Sequence, residues 1–138
     1  MQRTALRRIA ATTVALAALG AGALATAGSA SAATGKNGVL ETGEFGLYYN
    51  SNQGGAVFDL FLSDANFIND YFAGPGNGAG QNVNDNTASY KNRDSNTWWV
   101  YTNADAGGIE GSIPAGYSGN ASTTFKNEIS SAYYYKAR

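Results

Sequence analysis

Two stretches, LYYNSNQGG at residues 47–55 and VYTNADAGG at residues 100–108, align without a gap. Tyr48 falls against Tyr101, Asn50 against Asn103, and Gly54-Gly55 against Gly107-Gly108. Each is followed by a second shared piece, VNDNTAS at residues 83–89 and FKNEISS at residues 125–131, ending on Ser89 and Ser131. A two-part signature that occurs twice means two similar supersecondary units. Each copy reads as a folded hairpin. The aromatic packs over the turn, and the late glycine (Gly55 or Gly108) takes a backbone angle that other residues avoid. The later serine bonds back to the hairpin's backbone. Two four-stranded units of this kind pack as a Greek-key sandwich, an all-β fold.

The flanking sequence fits strands. All 17 aromatic residues lie beyond position 44, among abundant Gly and Asn and only two prolines. Such a composition favours strands and turns over helices. Strands are expected at residues 45–49, 56–62, 97–102 and 132–136, separated by Gly, Asn and Asp clusters. Alternation along 56–62 sets Phe58, Leu60 and Leu62 on one face and Val57, Asp59 and Phe61 on the other. Residues 63–72 suit a short helix or arch, with Ser63 as a candidate cap. AGPGNGAG at residues 73–80 reads as a flexible loop. Of Trp98 and Trp99, one faces the core and the other the opposite side.

The first 32 residues read as an address. Arg3, Arg7 and Arg8 precede an uncharged Ala/Leu/Val-rich stretch, and Ala30-Ser31-Ala32 fits a signal peptidase site. Cleavage after Ala32 leaves a mature domain of residues 33–138 that begins at Ala33, is secreted, and has no membrane attachment. Its 6 cations against 10 anions give a charge of −4. About 100 residues make one domain, read here as a monomer. With no His and no Cys, the usual zinc sites, a Cys nucleophile, a Ser-His-Asp triad and a disulfide framework are excluded. A negative domain without a basic run is a poor partner for nucleic acid. The carboxylates have no spacing that brings two together as glycoside hydrolysis needs, so the domain reads as non-catalytic.

The motif of an aromatic, four residues, another residue, one more, then Gly, found at Tyr48–Gly55 and Tyr101–Gly108, resembles the βγ-crystallin Greek-key motif. Its usual second aromatic is Gln53 in one copy and Ala106 in the other. The wider layout is the Ala-rich leader, GLYYNSNQGG, GNGAGQNV before the Asn-rich segment, and the closing FKNEISS. It resembles the secreted actinobacterial βγ-crystallin-like peptidase inhibitor family typified by the Streptomyces metalloproteinase inhibitor. The resemblance covers about residues 38 to 135 and implies a βγ-crystallin-like sandwich and a secreted protease as partner. The typifying inhibitor relies on disulfides, which this chain lacks.

The resemblance also implies calcium, the one candidate cofactor; none is required. In βγ-crystallins calcium binds a run of two Asn/Asp, two variable residues, Ser/Thr and Ser. Such a run offers the oxygen ligands that calcium takes. Asn84, Asp85, Asn86 and Ser89 fit the first run, with Ala88 where a hydroxyl is expected. Asn127, Glu128, Ser130 and Ser131 fit the second, with Lys126 at its head. A cation there opposes a divalent ion, so both runs read as degenerate. The alternative to an inhibitor is thus a calcium-binding or degenerate structural crystallin domain, in which Ser89 and Ser131 only pin their hairpins.

An inhibitor must present a segment already close to its bound shape. The segment 111–119 holds Ile113, Pro114 and Tyr117. Proline stiffens it, and the two apolar side chains can enter a protease pocket. The same two side chains can instead fill the core of the second unit.

Overall fold

The computed structural model describes residues 32–137. The leader expected over residues 1–32 lies outside them, Ala32 apart. The unit Ala33–Arg138 is compact by itself. It is all-β. Strands β1 (Phe45–Asn50), β2 (Gly54–Leu60), β3 (Ser89–Asn92), β4 (Trp98–Asn103), β5 (Gly107–Ile113), β6 (Ser118–Asn120) and β7 (Ser131–Tyr133) form two antiparallel sheets. Their orders are β2-β1-β3-β6 and β5-β4-β7.

The repeat sets this layout. β1 and β2 form one hairpin, with Asn50 opposite Gly54. β4 and β5 form its counterpart, with Asn103 opposite Gly107. Each turn needs two successive left-handed residues, Asn52 (φ 57°) and Gln53 (φ 56°) in one, Asp105 (φ 54°) and Ala106 (φ 59°) in the other. That geometry matches the right-handed twist of the paired strands. Gly55 and Gly108 follow at φ 78° and 76°. The halves then exchange strands. β6, from the second half, pairs with β3 of the first. Asp64, from the first half, bridges Ala132 in β7 of the second. This crossing is the Greek-key connection.

Between the sheets lies an aromatic core. Phe45 stacks on Trp98 at 4.8 Å, and Phe58 meets Phe67 edge-on at 5.0 Å. Leu47, Leu60, Val100, Ile113 and Ala132 are among the aliphatic side chains packed with them. The indole N–H of Trp98 donates to Asp94 at 2.8 Å, so its one polar atom is satisfied. Trp99 points the other way, beneath the Lys136 ammonium at 4.5 Å from its ring. Alternation along β2 holds, but Val57 and Asp59 are buried as well. Residues 36–38 cover that outer face, with the amides of Asn37 and Gly38 donating to the Asp59 carboxylate at 3.0 and 2.7 Å.

Three local expectations are corrected. Leu62 lies past the end of β2 and is exposed. The arch holds only a 3-10 turn, Phe67–Asn69, capped by Asn66 and not by Ser63. Ser63 Oγ instead accepts from the Tyr134 amide at 3.0 Å. Residues 73–80 are an edge strap rather than a slack loop. Ala73 exchanges two backbone hydrogen bonds with Val57, Asn77 accepts from Ala56, and Phe72 accepts from Gly80.

Candidate functional site

The two runs that end on Ser89 and Ser131 meet at the interface of the halves, and their backbones pair reciprocally. Asp85 N–H donates to Ile129 O at 3.0 Å, and Asn127 N–H donates to Thr87 O at 2.9 Å. Asp85 and Asn127 are equivalent left-handed residues, at φ 57° and 59°. The serines closing the runs reach back to the hairpins. Ser89 Oγ donates to Asn50 O at 2.6 Å and accepts from Gln53 N–H at 2.9 Å. Ser131 Oγ donates to Asn103 O at 2.8 Å and accepts from Ala106 N–H at 3.2 Å. Each serine thus fills a donor and an acceptor that the left-handed turn leaves unpaired by the sheet.

The side chains break this symmetry. Ser130 Oγ donates to Asp85 Oδ1 at 2.9 Å, joining the fifth position of one run to the second position of the other. A cleft of about 380 Å³ opens there, lined by Asn84, Asp85, Asn66, Asn103, Glu128 and Ser130, among others. The equivalent place in the other half sets Asn127 beside the 87–88 backbone, where Ala88 has no hydroxyl to give. Lys126 there holds the position that Asn84 holds in the cleft. Both departures from the motif therefore fall at this one place, because the runs are paired crosswise. Asn86 lies outside the cleft lining, its amide donating to Asn82 O at 3.0 Å.

The cleft's donors are oxygens: two carboxylates, amides and two hydroxyls, a set whose chemistry suits calcium. Among the described residues there is no group of three or more acidic, His or Cys side chains that could hold a metal ion. Ligand charge is therefore low, and affinity follows ligand charge.

The second candidate surface is the turn after β5. Pro114 is exposed and Tyr117 is 59% exposed, whereas Ile113 is 6% exposed, opposite Trp98 in the core. Ile113 cannot offer its side chain to a partner, which corrects the expectation that paired it with Tyr117. Strand alternation turns it inward.

Sequence reasoning missed the residue that braces this turn. Asn92 is buried, and its backbone donates to Tyr117 O at 2.8 Å and accepts from Gly116 N–H at 3.0 Å. Its side-chain amide donates to Asn96 O and Ile113 O, both at 2.9 Å, and its Oδ1 accepts from Asp94 N–H at 2.9 Å. One side chain ties the turn to the β3–β4 connection. A lone Asn after an Asn-rich segment carries no signal of such a role.

On the outer face of the second sheet, Tyr101 is buried and its hydroxyl donates to Glu110 at 2.8 Å. Burial first, then that hydrogen bond, pushes the phenol up. The Lys136 ammonium, with the same phenol, holds Glu110 below the usual carboxylate range. Its half-equivalent Tyr48 is only half-buried.

Paired Greek-key hairpins with serine-pinned left-handed turns define the βγ-crystallin class of fold. One solved structure, from work on the evolution of the eye lens beta-gamma-crystallin domain fold, superposes with a TM-score of 0.55. It is 16% identical over 75% of this chain and 91% of its own. A beta gamma crystallin from Ciona intestinalis superposes with a TM-score of 0.51 at 18% identity, over 66% of this chain and 98% of its own. No curated protein matches the chain. Residues 33–113 match peptidase inhibitor family I36, and the chain belongs to that family.

Proposed function

We propose that the protein is a secreted, non-catalytic inhibitor of a metallopeptidase, with the turn at Pro114 and Tyr117 as part of its contact surface. Family membership carries this reading. The Asn92 brace supports the choice of surface, since a turn held by buried hydrogen bonds loses little entropy when a protease clamps it. Tyr117 offers a large, exposed, amphipathic side chain of the kind enriched in contact hot spots. The test is inhibition of a bacterial metalloprotease by the wild type and Tyr117→Ala, with circular dichroism on both. Loss of inhibition at an unchanged melting point is expected. Ile113→Ala serves as the packing control and should melt early. If the wild type inhibits none of a panel of secreted metalloproteases, the reading fails.

A second reading rests on the Asp85–Ser130 cleft: one weak calcium site there and none at the equivalent place. Asn84, Asp85, Glu128 and Ser130 would supply ligands there. Calcium then raises the melting temperature only slightly, since stabilisation follows ligand concentration over dissociation constant. Ser130→Ala should abolish that small rise, and Ala88→Ser with Lys126→Asp should add a second one. A large rise at micromolar calcium in the wild type would contradict this weak, one-sided site.

A further inference from the structure

Residues 33–43 cross the outer face of the first sheet and are held there by carboxylates shut away from water. Asp59 is fully buried and takes the amides of Asn37 and Gly38, while its carbonyl accepts from Lys36 N–H at 2.6 Å. Glu44 is also fully buried. Its Oε2 accepts from Glu41 N–H at 2.7 Å, and its Oε1 has no hydrogen-bond partner. The charged groups facing it are Glu41 from the segment itself, Asp59 from β2 and Arg93 from the β3–β4 connection. The Arg93 guanidinium is committed elsewhere, donating to Leu40 O at 3.1 Å and Thr42 Oγ1 at 2.9 Å. Among the described residues Glu44 makes no ion pair. A buried carboxylate with an orphaned oxygen and an anionic neighbour is far costlier than a buried neutral acid.

The segment fastens more than itself. The Lys36 ammonium bridges Asp64 at 2.5 Å and Asp70 at 2.9 Å. Gly38 lies against Gly74 so closely that a Cβ on Gly74 would sit 2.5 Å from Gly38 O. Lifting the segment therefore uncovers Gly46 and Val57 beneath Leu40 and loosens residues 64–74.

We propose that residues 33–43 form a proton-operated strap, closed over the first sheet while Glu44 is a neutral acid and released as Glu44 ionises beneath it. Burial, with help from Asp59 and Glu41 and against the Glu41 amide and Arg93, pushes the Glu44 carboxyl up to about 7. The sign follows from that direction. Below the ordinary value of 4.5 open and closed forms are both protonated. Between there and about 7 the closed form holds a proton that the open form gives up, so closure weakens as pH rises. Asp70, raised chiefly by burial, pushes the same way, which makes the Glu44 variant the decisive comparison.

Amide hydrogen exchange, corrected for intrinsic rates, reads the strap at Gly38 and Glu41 and the core at Leu47 and Phe58. Between about pH 5 and about pH 8, protection at Gly38 and Glu41 should fall about tenfold or more in the wild type while the core amides hold. Glu44→Gln, a neutral isostere, should keep the strap protected at both pH values. Equal strap protection at both pH values in the wild type, or the same fall in Glu44→Gln, overturns the proposal. Should that variant fail to fold, the carbon-13 titration of the Glu44 carboxyl in the wild type decides. A midpoint near 7 upholds the strap, and one near the ordinary glutamate value overturns it.

Discussion

Ser89 and Ser131 do in side chains what a longer strand would do in backbone. Each turn leaves one N–H and one C=O without a partner in the sheet, and one hydroxyl satisfies both. Both serines are fully buried, so no water can replace them. Ser89→Ala or Ser131→Ala should each cost about 1–3 kcal/mol, the penalty for stranding buried polar groups. Urea denaturation checks this; a loss below about 0.5 kcal/mol would mean that the turns do not need the pins. These serines were legible in the sequence because the backbone forces the choice, and a forced choice repeats. Glu44 and Asn92 were not legible. Their roles depend on what packs over them, and each occurs once, without a partner in the other half.

At the scale of elements, the hairpins were legible and the connections were not. Alternation and turn residues locate β1, β2 and β4, while β5 (GGIEGSI) has no apolar alternation and is implied only by the repeat of the hairpin. Residues 73–80 mislead because composition measures only what a chain is free to do. All four glycines there have positive φ, and their places are set by neighbours. Gly78 (φ 91°) lies under the Tyr49 ring, so that a Cβ would collide with Cβ, Cγ and Cδ2. Gly80 (φ 86°) has nothing within 4 Å of the same position. Gly80→Ala should therefore cost only the left-handed strain, about 1–2 kcal/mol. Gly78→Ala adds overpacking of about 1–3 kcal/mol and should displace Tyr49 from Phe72, which it now meets edge-on at 5.5 Å. Thermal melts of the pair give the comparison. Equal losses would show that residues 73–80 yield freely, as their composition suggests.

Over the whole domain the repeat implies two units, but the strand exchange makes neither self-sufficient. β3 of the first half is flanked by β6 of the second, and Asp64 completes the edge of β7. Core contacts cross as well: Phe45 of the first half stacks on Trp98 of the second. Only the existence of two units was legible, since sequence alignment reports likeness and not which strand pairs with which. The consequence is a single folding unit, and it can be read optically, because both tryptophans lie in the second half. Phe58 is buried against Phe67, both in the first half. Phe58→Ala should cost about 3–5 kcal/mol. If the halves fold as one, the tryptophan fluorescence melt must shift with the far-ultraviolet circular dichroism melt, by the same amount and in one transition. Fluorescence that keeps its wild-type midpoint while the circular dichroism shifts would show that the second half stands alone, and the exchanged strands would then be docked onto two separate folding units.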